Sequence, residues 1–365
     1  MTDDSEPTVP TTNTEAVPSA TMPSAQLGPS GPIVSRLALG TMTFGAETDE
    51  TDAHEQLDRF HQAGGTFIDT ADVYGQGESE RIVGRWLDQR RPDDVVISTK
   101  GRFAPPSGSA GASRRALVRS IDASLDRLGV DAIDLYFVHG WDDVTPVEET
   151  LDALSAEVRK GKIHSLGWSN VTGWQLATIM TTARLGGHVV PTVIQPQYNL
   201  LDRTIEIEVL PCALAERLAM TPWSPLGGGW LTGKYRRDAR PTGATRLGDD
   251  PDRGVEAYDT RNIDTTWDVL DVVRAVAERN ERSMADVAIA WLLRRPGVAS
   301  VLLGARTVGQ LTEVLDATTL DLSGDDLDRL AQVSAPGVPT YPYTMIEQFT
   351  EATIWHDLGT HRIAP

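Results

Sequence analysis

The chain has 365 residues, 40% of them hydrophobic, enough to bury a substantial core. Its formal net charge of −19 argues against a phosphate-backbone partner such as nucleic acid, which needs clustered Lys and Arg. Cys212 is the only cysteine, which excludes an intramolecular disulfide and a cysteine-cluster metal site.

Residues 1–27 are rich in Pro, Thr and Ser and hold acidic residues but no Lys or Arg. Such a stretch cannot bury enough apolar surface to offset its ordering entropy, and disorder is expected there. It lacks the basic start and apolar run of about 7–15 residues that mark a signal peptide. No later stretch reaches the ~18 apolar residues of a membrane span. The expectation is a soluble, cytoplasmic protein with no membrane partner.

From residue 33 onward, short β-like runs alternate with helical patterns. The runs are RLALGTM, TFIDTA, VVISTK, IDLYFVH, HSLGWSN, TVIQPQYN, MTPWSPL and SVLLGAR. Amphipathic segments such as DAHEQLDRFHQAG, SRRALVRSIDASLDRLG, PVEETLDALSAEVRKGK and SMADVAIAWLLRR lie between them. Apolar runs without strict alternation suit a parallel sheet covered on both faces. Eight β-then-α units in about 300 residues predict an α/β chain folded as a single-domain (β/α)8 TIM barrel. An open doubly wound sheet is the alternative.

The polar residues favour the barrel, because its active sites sit at the C-terminal strand ends. Here the strands end in Thr41, Asp69, Lys100, His139, Ser169 and Asn170, Gln195, Ser224 and Arg306. Caps and turns explain one or two of these, but not nearly all eight ends together.

Lys100 closes VVISTK, and a desolvated ammonium must be paired. Asp69, ending the neighbouring strand, is the natural partner. Alone, the two would read as a structural ion pair. Tyr74 changes that reading: a phenol with an ordinary pKa of ~10 can donate a proton near neutrality if an ammonium stabilises its anion. His139 could add a hydrogen bond to the same oxygen or to a substrate carbonyl. An Asp–Tyr–Lys–His set suits protonation of a carbonyl oxygen. Side chains carry no hydride, so a nicotinamide cofactor is implied. Asp72 reads as a turn residue.

The stretches GGTFIDTADVYG, ISTK, LYFVH, LGWSN, IQPQYN, WSPL and LLGARTVGQLTEV together resemble the aldo-keto reductase superfamily, from about residue 28 to 335. The likeness is to its branch of bacterial aryl-alcohol dehydrogenase-like and potassium channel β-subunit-like members. It implies a barrel over residues 28–337, with a C-terminal segment, 338–365, that could line the substrate pocket. The cofactor it implies is NADPH/NADP+, less often NADH, held in an extended pose without a Rossmann fold. Tyr74 then matches the general acid, Lys100 and Asp69 the pair that lowers its pKa, and His139 the residue that orients the carbonyl.

The resemblance also implies the cofactor contacts. Ser169, Asn170 and Gln195 match the nicotinamide carboxamide site, and Trp223 the aromatic stacked on the ring. Gly40, Thr41 and Met42, with Asp69, belong to the same end. Ser224, Pro225, Leu226, Gly228, Leu231 and Lys234 match the pyrophosphate stretch. Gly304, Arg306, Gln310 and Glu313 match the adenosine end, where a guanidinium fork would suit a 2′-phosphate. One departure is Val314, where the family pattern usually has an asparagine.

Other oxidoreductase signatures are missing. None of the seven tyrosines has a lysine four residues on, and no G-x-G-x-x-G follows the first strand. A metal-dependent barrel would want several strand-end His, whereas only His139 is well placed, so no metal site is expected. The remaining alternative is a cofactor-binding regulatory module with little turnover, like potassium channel β-subunits.

Substrate choice should come from loops after the strands. Trp141, Met42 and Phe44 are the candidate pocket walls. Residues 227–262 are expected to form a flap over the cofactor. The tail aromatics Tyr341, Tyr343, Phe349 and Trp355 read equally as pocket lining or as a terminal helix packed on the barrel. The expected substrate is a small carbonyl compound, an aromatic aldehyde or a ketone such as a keto-sugar. Oligomeric state is open.

Overall fold

A computed structural model of the chain describes residues 22–103, 110–243, 245–252 and 254–349. Strands β1 (Ser24–Gln26) and β2 (Ile33–Ser35) pair as an antiparallel hairpin. Eight parallel strands follow: β3 (Leu37–Gly40), β4 (Phe67–Asp69), β5 (Val96–Gly101), β6 (Ile133–Val138), β7 (Ile163–Ser169), β8 (Val193–Gln195), β9 (Ala219–Met220) and β10 (Val301–Gly304). Each pairs with the next in chain order, and β10 returns to β3. The ring closes between β9 and β10: Met220 donates to Gly297 O (2.7 Å), Ala299 to Met220 O (2.9 Å) and Leu302 to Pro222 O (3.0 Å). This is the (β/α)8 barrel, since a doubly wound sheet would reverse strand order and leave two edges.

Helices occupy the crossovers: α1 (Glu50–Gln62), α2 (Glu78–Arg90), α3 (Arg114–Leu128), α4 (Val147–Arg159), α5 (Gly173–Leu185) and α6 (Val209–Ala215). Two short turns, α7 (Arg246–Asp249) and α8 (Tyr258–Arg261), precede α9 (Asp264–Arg279) and α10 (Met284–Leu293). The chain then runs through α11 (Val308–Leu315), α12 (Gly324–Val333) and α13 (Met345–Phe349). Their starts are written locally. Asp49, Ser113, Ser283, Thr307 and Ser323 each accept a backbone N–H of the first turn, supplying a partner that the helix itself cannot.

Two apolar layers follow from the two-residue period of the strands. Inside the barrel lie Ala38, Phe67, Leu135, Phe137, Val193, Ala219 and Leu302; Ile68, Ile97, Tyr136, Val138, Trp168 and Ile194 face the helices. Counting on from Phe67, Asp69 returns to the interior side. The same count from Val96 puts Ser98 and Lys100 inward, and from Leu135 and Phe137 it puts His139 there. Alternation thus delivers the polar strand ends to one mouth.

The expected unstructured tail ends earlier than residue 27, because Ser24–Gln26 form β1. Leu27 and Val34 are fully buried in the interior cluster and cover its apolar end opposite the mouth, which would otherwise meet water. The disorder expected for residues 1–21 falls outside the described residues, as do Trp355 and the rest of the C-terminal segment beyond 349. Among the described residues no helix is long and apolar enough to cross a membrane.

Candidate active site

Asp69 and Lys100 come together at the mouth, 1% and 0% exposed. Lys100 Nζ donates to Asp69 Oδ2 (2.5 Å), to Thr70 O (2.7 Å) and to Tyr74 Oη (3.3 Å), which uses all three of its protons. Asp69 Oδ1 accepts from Ser98 Oγ (2.7 Å) and Gln195 Nε2 (3.1 Å). Burial alone would pull the Lys100 pKa down, but the Asp69 charge, the phenol and their hydrogen bonds outweigh it and leave it above the ordinary lysine value. The ammonium is therefore charged inside the protein.

Tyr74 corrects one expectation. Its pKa is raised, not lowered: burial pushes it up, Lys100 pulls it down, and the Asp69 charge pushes it up again. The phenol therefore holds its proton at neutral pH. His139 stands beside it, ring centroids 6.0 Å apart, with Phe103 against its other side at 4.7 Å. Burial, then the charges of Lys100 and Arg102, hold the His139 pKa well below its usual value, so the imidazole is neutral. Its Nδ1 is buried without a partner. An orphaned acceptor costs less than an orphaned N–H, which puts the proton on Nε2.

The rim is aromatic. Trp141, half-buried, meets Trp174 edge-on at 5.4 Å, and Trp174 is 59% exposed at the start of α5. Sequence reading missed Trp174, since an aromatic in the first turn of a helix looks like a packing residue. Phe44, expected in the pocket wall, is fully buried in the outer core and cannot line it. Met42 is exposed. Of the tail aromatics, Tyr341 and Phe349 are exposed, and Tyr343 Oη donates to Glu208 Oε1 (2.5 Å).

A chain of hydrogen-bonded polar groups continues from the mouth. Ser169 Oγ donates to Gln195 O (2.6 Å). Asn170 Nδ2 donates to His139 O (2.8 Å), and the Trp223 indole donates to Asn170 Oδ1 (3.2 Å). Asn170 and Ser224 both hold left-handed backbone (φ 55° and 54°), a strain that side chains tolerate mainly where a site requires it. Thr41, expected here, is fully buried, with its hydroxyl spent on Asp69 O (3.1 Å) and Ser79 Oγ (2.7 Å). Leu231 is likewise buried in the core. Pro225 is buried, and Gly40, Leu226 and Gly228 are partly exposed.

Further along, Lys234, Arg246 and Arg306 gather. Partial burial and then the charges of Arg306 and Arg246 depress the Lys234 pKa, so the three cations repel one another. In-chain carboxylates neutralise two of them. Arg306 bonds Asp249 (2.6 Å) and lies 3.8 Å from Glu47; Arg246 pairs with Glu256 (3.1 Å). Glu256 is itself buried and accepts from Ser224 Oγ. Asp249 and Glu256 come from the expected flap, residues 227–262. Gln310 Oε1 accepts from the Arg306 amide (3.0 Å). Gly304 and Glu313 are exposed, whereas Val314 packs in the core of α11, so its departure from the family pattern serves packing. Sequence reading missed Arg246, Glu256 and Asp249, because they lie on a stretch with no periodicity.

Comparison with known proteins agrees with this architecture. Residues 36–335 match the model of the Aldo/keto reductase family. The uncharacterized oxidoreductase YrpG of Bacillus subtilis (strain 168) is 34% identical over 328 residues, covering 86% of this chain and 97% of that protein. A probable voltage-gated potassium channel subunit beta of Arabidopsis thaliana is 35% identical, covering 84% and 95%. Aryl-alcohol dehydrogenase GME11368 of Pestalotiopsis microspora is 31% identical, covering 83% and 80%. The chain belongs to the aldo/keto reductase family of oxidoreductases.

Proposed function

We propose that this protein is an NADPH-dependent oxidoreductase that reduces an aromatic aldehyde, or a ketone that stacks on aromatic rings, to the alcohol. The observation that carries the reading is Lys100 Nζ, 3.3 Å from Tyr74 Oη and 2.5 Å from Asp69, beside a neutral His139. A carbonyl oxygen held between the Tyr74 hydroxyl and His139 Nε2–H would meet two donors. As negative charge grows on that oxygen, Tyr74 gives up its proton and Lys100 stabilises the phenolate left behind. In the reverse direction the same phenolate takes the proton back.

The residues fit a phosphate-bearing cofactor. Arg246 and Arg306 are already paired with Glu256 and Asp249, but Lys234 pairs with no carboxylate among the described residues and is pressed by both cations, so a bound anion would relieve it. Lys234 and Arg246 would hold the pyrophosphate and Arg306 the 2′-phosphate; Asn170 and Gln195 would hold the carboxamide, beside Trp223. When bound, NADPH supplies the hydride. Trp141 and Trp174 would wall the substrate side, in keeping with the aryl-alcohol name of one relative.

Tyr74→Phe tests the reading. Turnover should fall by about 10²- to 10⁴-fold while NADPH affinity stays within a factor of two or so. A variant with wild-type turnover would refute the acid. The channel-subunit relative favours a second reading, a cofactor-binding regulator; tight NADPH binding with no turnover across a panel of aromatic aldehydes and keto-sugars would favour it.

A further inference from the structure

We propose that Asp72 is a positioning residue whose charge state modulates the acidity of the Tyr74 phenol, so that carbonyl reduction slows as the Asp72 carboxyl ionises. This rests on Tyr74 being the acid, and it adds a residue that the tetrad does not contain.

Asp72 sits in the loop between β4 and α2, two residues before Tyr74, and is fully buried. Its amide donates to Lys100 O (3.1 Å), which ties the loop to the strand end that carries the ammonium. One carboxyl oxygen, Oδ2, accepts from Ser120 Oγ (2.8 Å) of α3; the other, Oδ1, is buried with no partner. Ser120 in turn accepts from Tyr136 Oη (3.1 Å). Gly101, next to Lys100, makes room for this pair: a Cβ there would lie 2.1 Å from Tyr136 Oη and 2.3 Å from Ser120 Oγ. The cluster is thus packed against the backbone that presents Lys100.

A turn residue would be solvated; this carboxyl is not. A buried carboxylate with one hydrogen bond is poorly compensated, whereas a carboxylic acid there is comfortable. The charged groups facing it differ by element. From α2 comes Glu80, which accepts from Thr99 of β5 (2.6 Å) and from Arg127 of α3 (2.6 Å). Lys100 lies on β5, Tyr136 on β6 and Tyr74 on the same loop. Burial raises the Asp72 pKa most, the Ser120 hydrogen bond opposes it, Glu80 raises it, and Arg127 and then the Val73 amide lower it, with the balance at about 7. An ionised Asp72 pushes the Tyr74 pKa further up. The phenol is therefore the stronger acid while Asp72 holds its proton. His139 is neutral well below this range and cannot imitate the effect.

The experiment measures single-turnover reduction of an aromatic aldehyde by NADPH from pH 5.5 to 9 in the wild type, Asp72→Asn and Ser120→Ala. The wild type should fall by about threefold through an inflection near pH 7 to a lower plateau. Asp72→Asn should be flat over that range, and Ser120→Ala should move the inflection to higher pH, because the lost hydrogen bond favoured the ionised form. In the cofactor-free protein, carboxyl-carbon NMR should show one aspartate titrating near pH 7, absent from Asp72→Asn. A purely structural Asp72 would scale the rate equally at every pH. An unchanged inflection in Asp72→Asn, or no such aspartate in the wild-type spectrum, overturns the proposal. Tyr74→Phe separates the two readings: if it is inactive while Asp72→Asn keeps the wild-type profile, only the role of Asp72 falls.

Discussion

Replacing Lys100 by Met removes the ammonium and keeps most of the side-chain volume. Over 3.3 Å, that charge stabilises a full phenolate on Tyr74 by about 5 kcal/mol at an effective dielectric constant of ~20. A proton half transferred in the transition state would realise about half of this, or roughly a hundredfold in rate. The substitution also strips Asp69 of its counter-ion, and an unneutralised carboxylate beside the phenol opposes the phenolate further. The single variant should therefore lose about 10²- to 10³-fold in single-turnover reduction. It should also lose about 3–5 kcal/mol of stability, since Asp69 is left buried and charged. Adding Asp69→Asn removes the stranded charge, so the double variant should regain part of both losses. Stopped-flow absorbance of NADPH reads the rate, and denaturant unfolding of the cofactor-free protein reads the stability. A Lys100→Met enzyme within threefold of wild type, or losses that simply add in the double variant, would refute the coupling.

Arg306→Ala should weaken NADPH binding by about tenfold or more and NADH binding far less, because only the former carries the 2′-phosphate. Quenching of tryptophan fluorescence measures both, and equal losses would contradict the assignment. Asp72 makes a stability prediction as well. A carboxyl with a pKa of about 7 in the fold, above its unfolded value of ~4, costs the fold nothing below pH ~4; stability is then lost progressively as pH rises from ~4 to ~7, and the loss is constant above that, where both states are ionised. The loss is on the order of 4 kcal/mol. The melting temperature of Asp72→Asn relative to wild type should rise from pH 5 to pH 8, and a difference independent of pH would show that the carboxyl is not titrating in the fold.

The parts of the site legible in the sequence are those that a strict period delivers. Once Phe67 faces inward, Asp69 must as well, and the same count places Lys100 and His139, so strand ends report the mouth without coordinates. Loops have no such period, and their side-chain directions are not legible: Phe44 and Leu231 turn into the core, while Arg246 and Glu256 turn toward each other beside Ser224. Asp72 looked like a turn residue by type, but α3 supplies Ser120 and closes over it. The hairpin was invisible for another reason. Ser24–Gln26 has no strand character of its own and is held by Leu27 and Val34 filling the barrel end, a tertiary gain that local composition does not record.

The net rise in the Tyr74 pKa is what an acid in the reductive direction needs. A phenol lowered to neutrality by Lys100 would already be ionised in part of the population, with no proton to give. Burial keeps the proton in place, and in the proposed reaction Lys100 would ease its departure once a carbonyl oxygen is ready to accept it. That arrangement requires an ammonium that stays charged with no exposure to water, which Asp69 ensures, and Asp69 is in turn fixed by Ser98 and Gln195. Gln195 therefore has two proposed duties, as a cofactor contact and as a hydrogen-bond donor to the Asp69–Lys100 pair. In the proposed pose, a cofactor amide on Gln195 would be two hydrogen bonds from Asp69 and three from Lys100. On that reading, cofactor occupancy and phenol acidity would be linked through side chains already in contact, without any movement of the barrel.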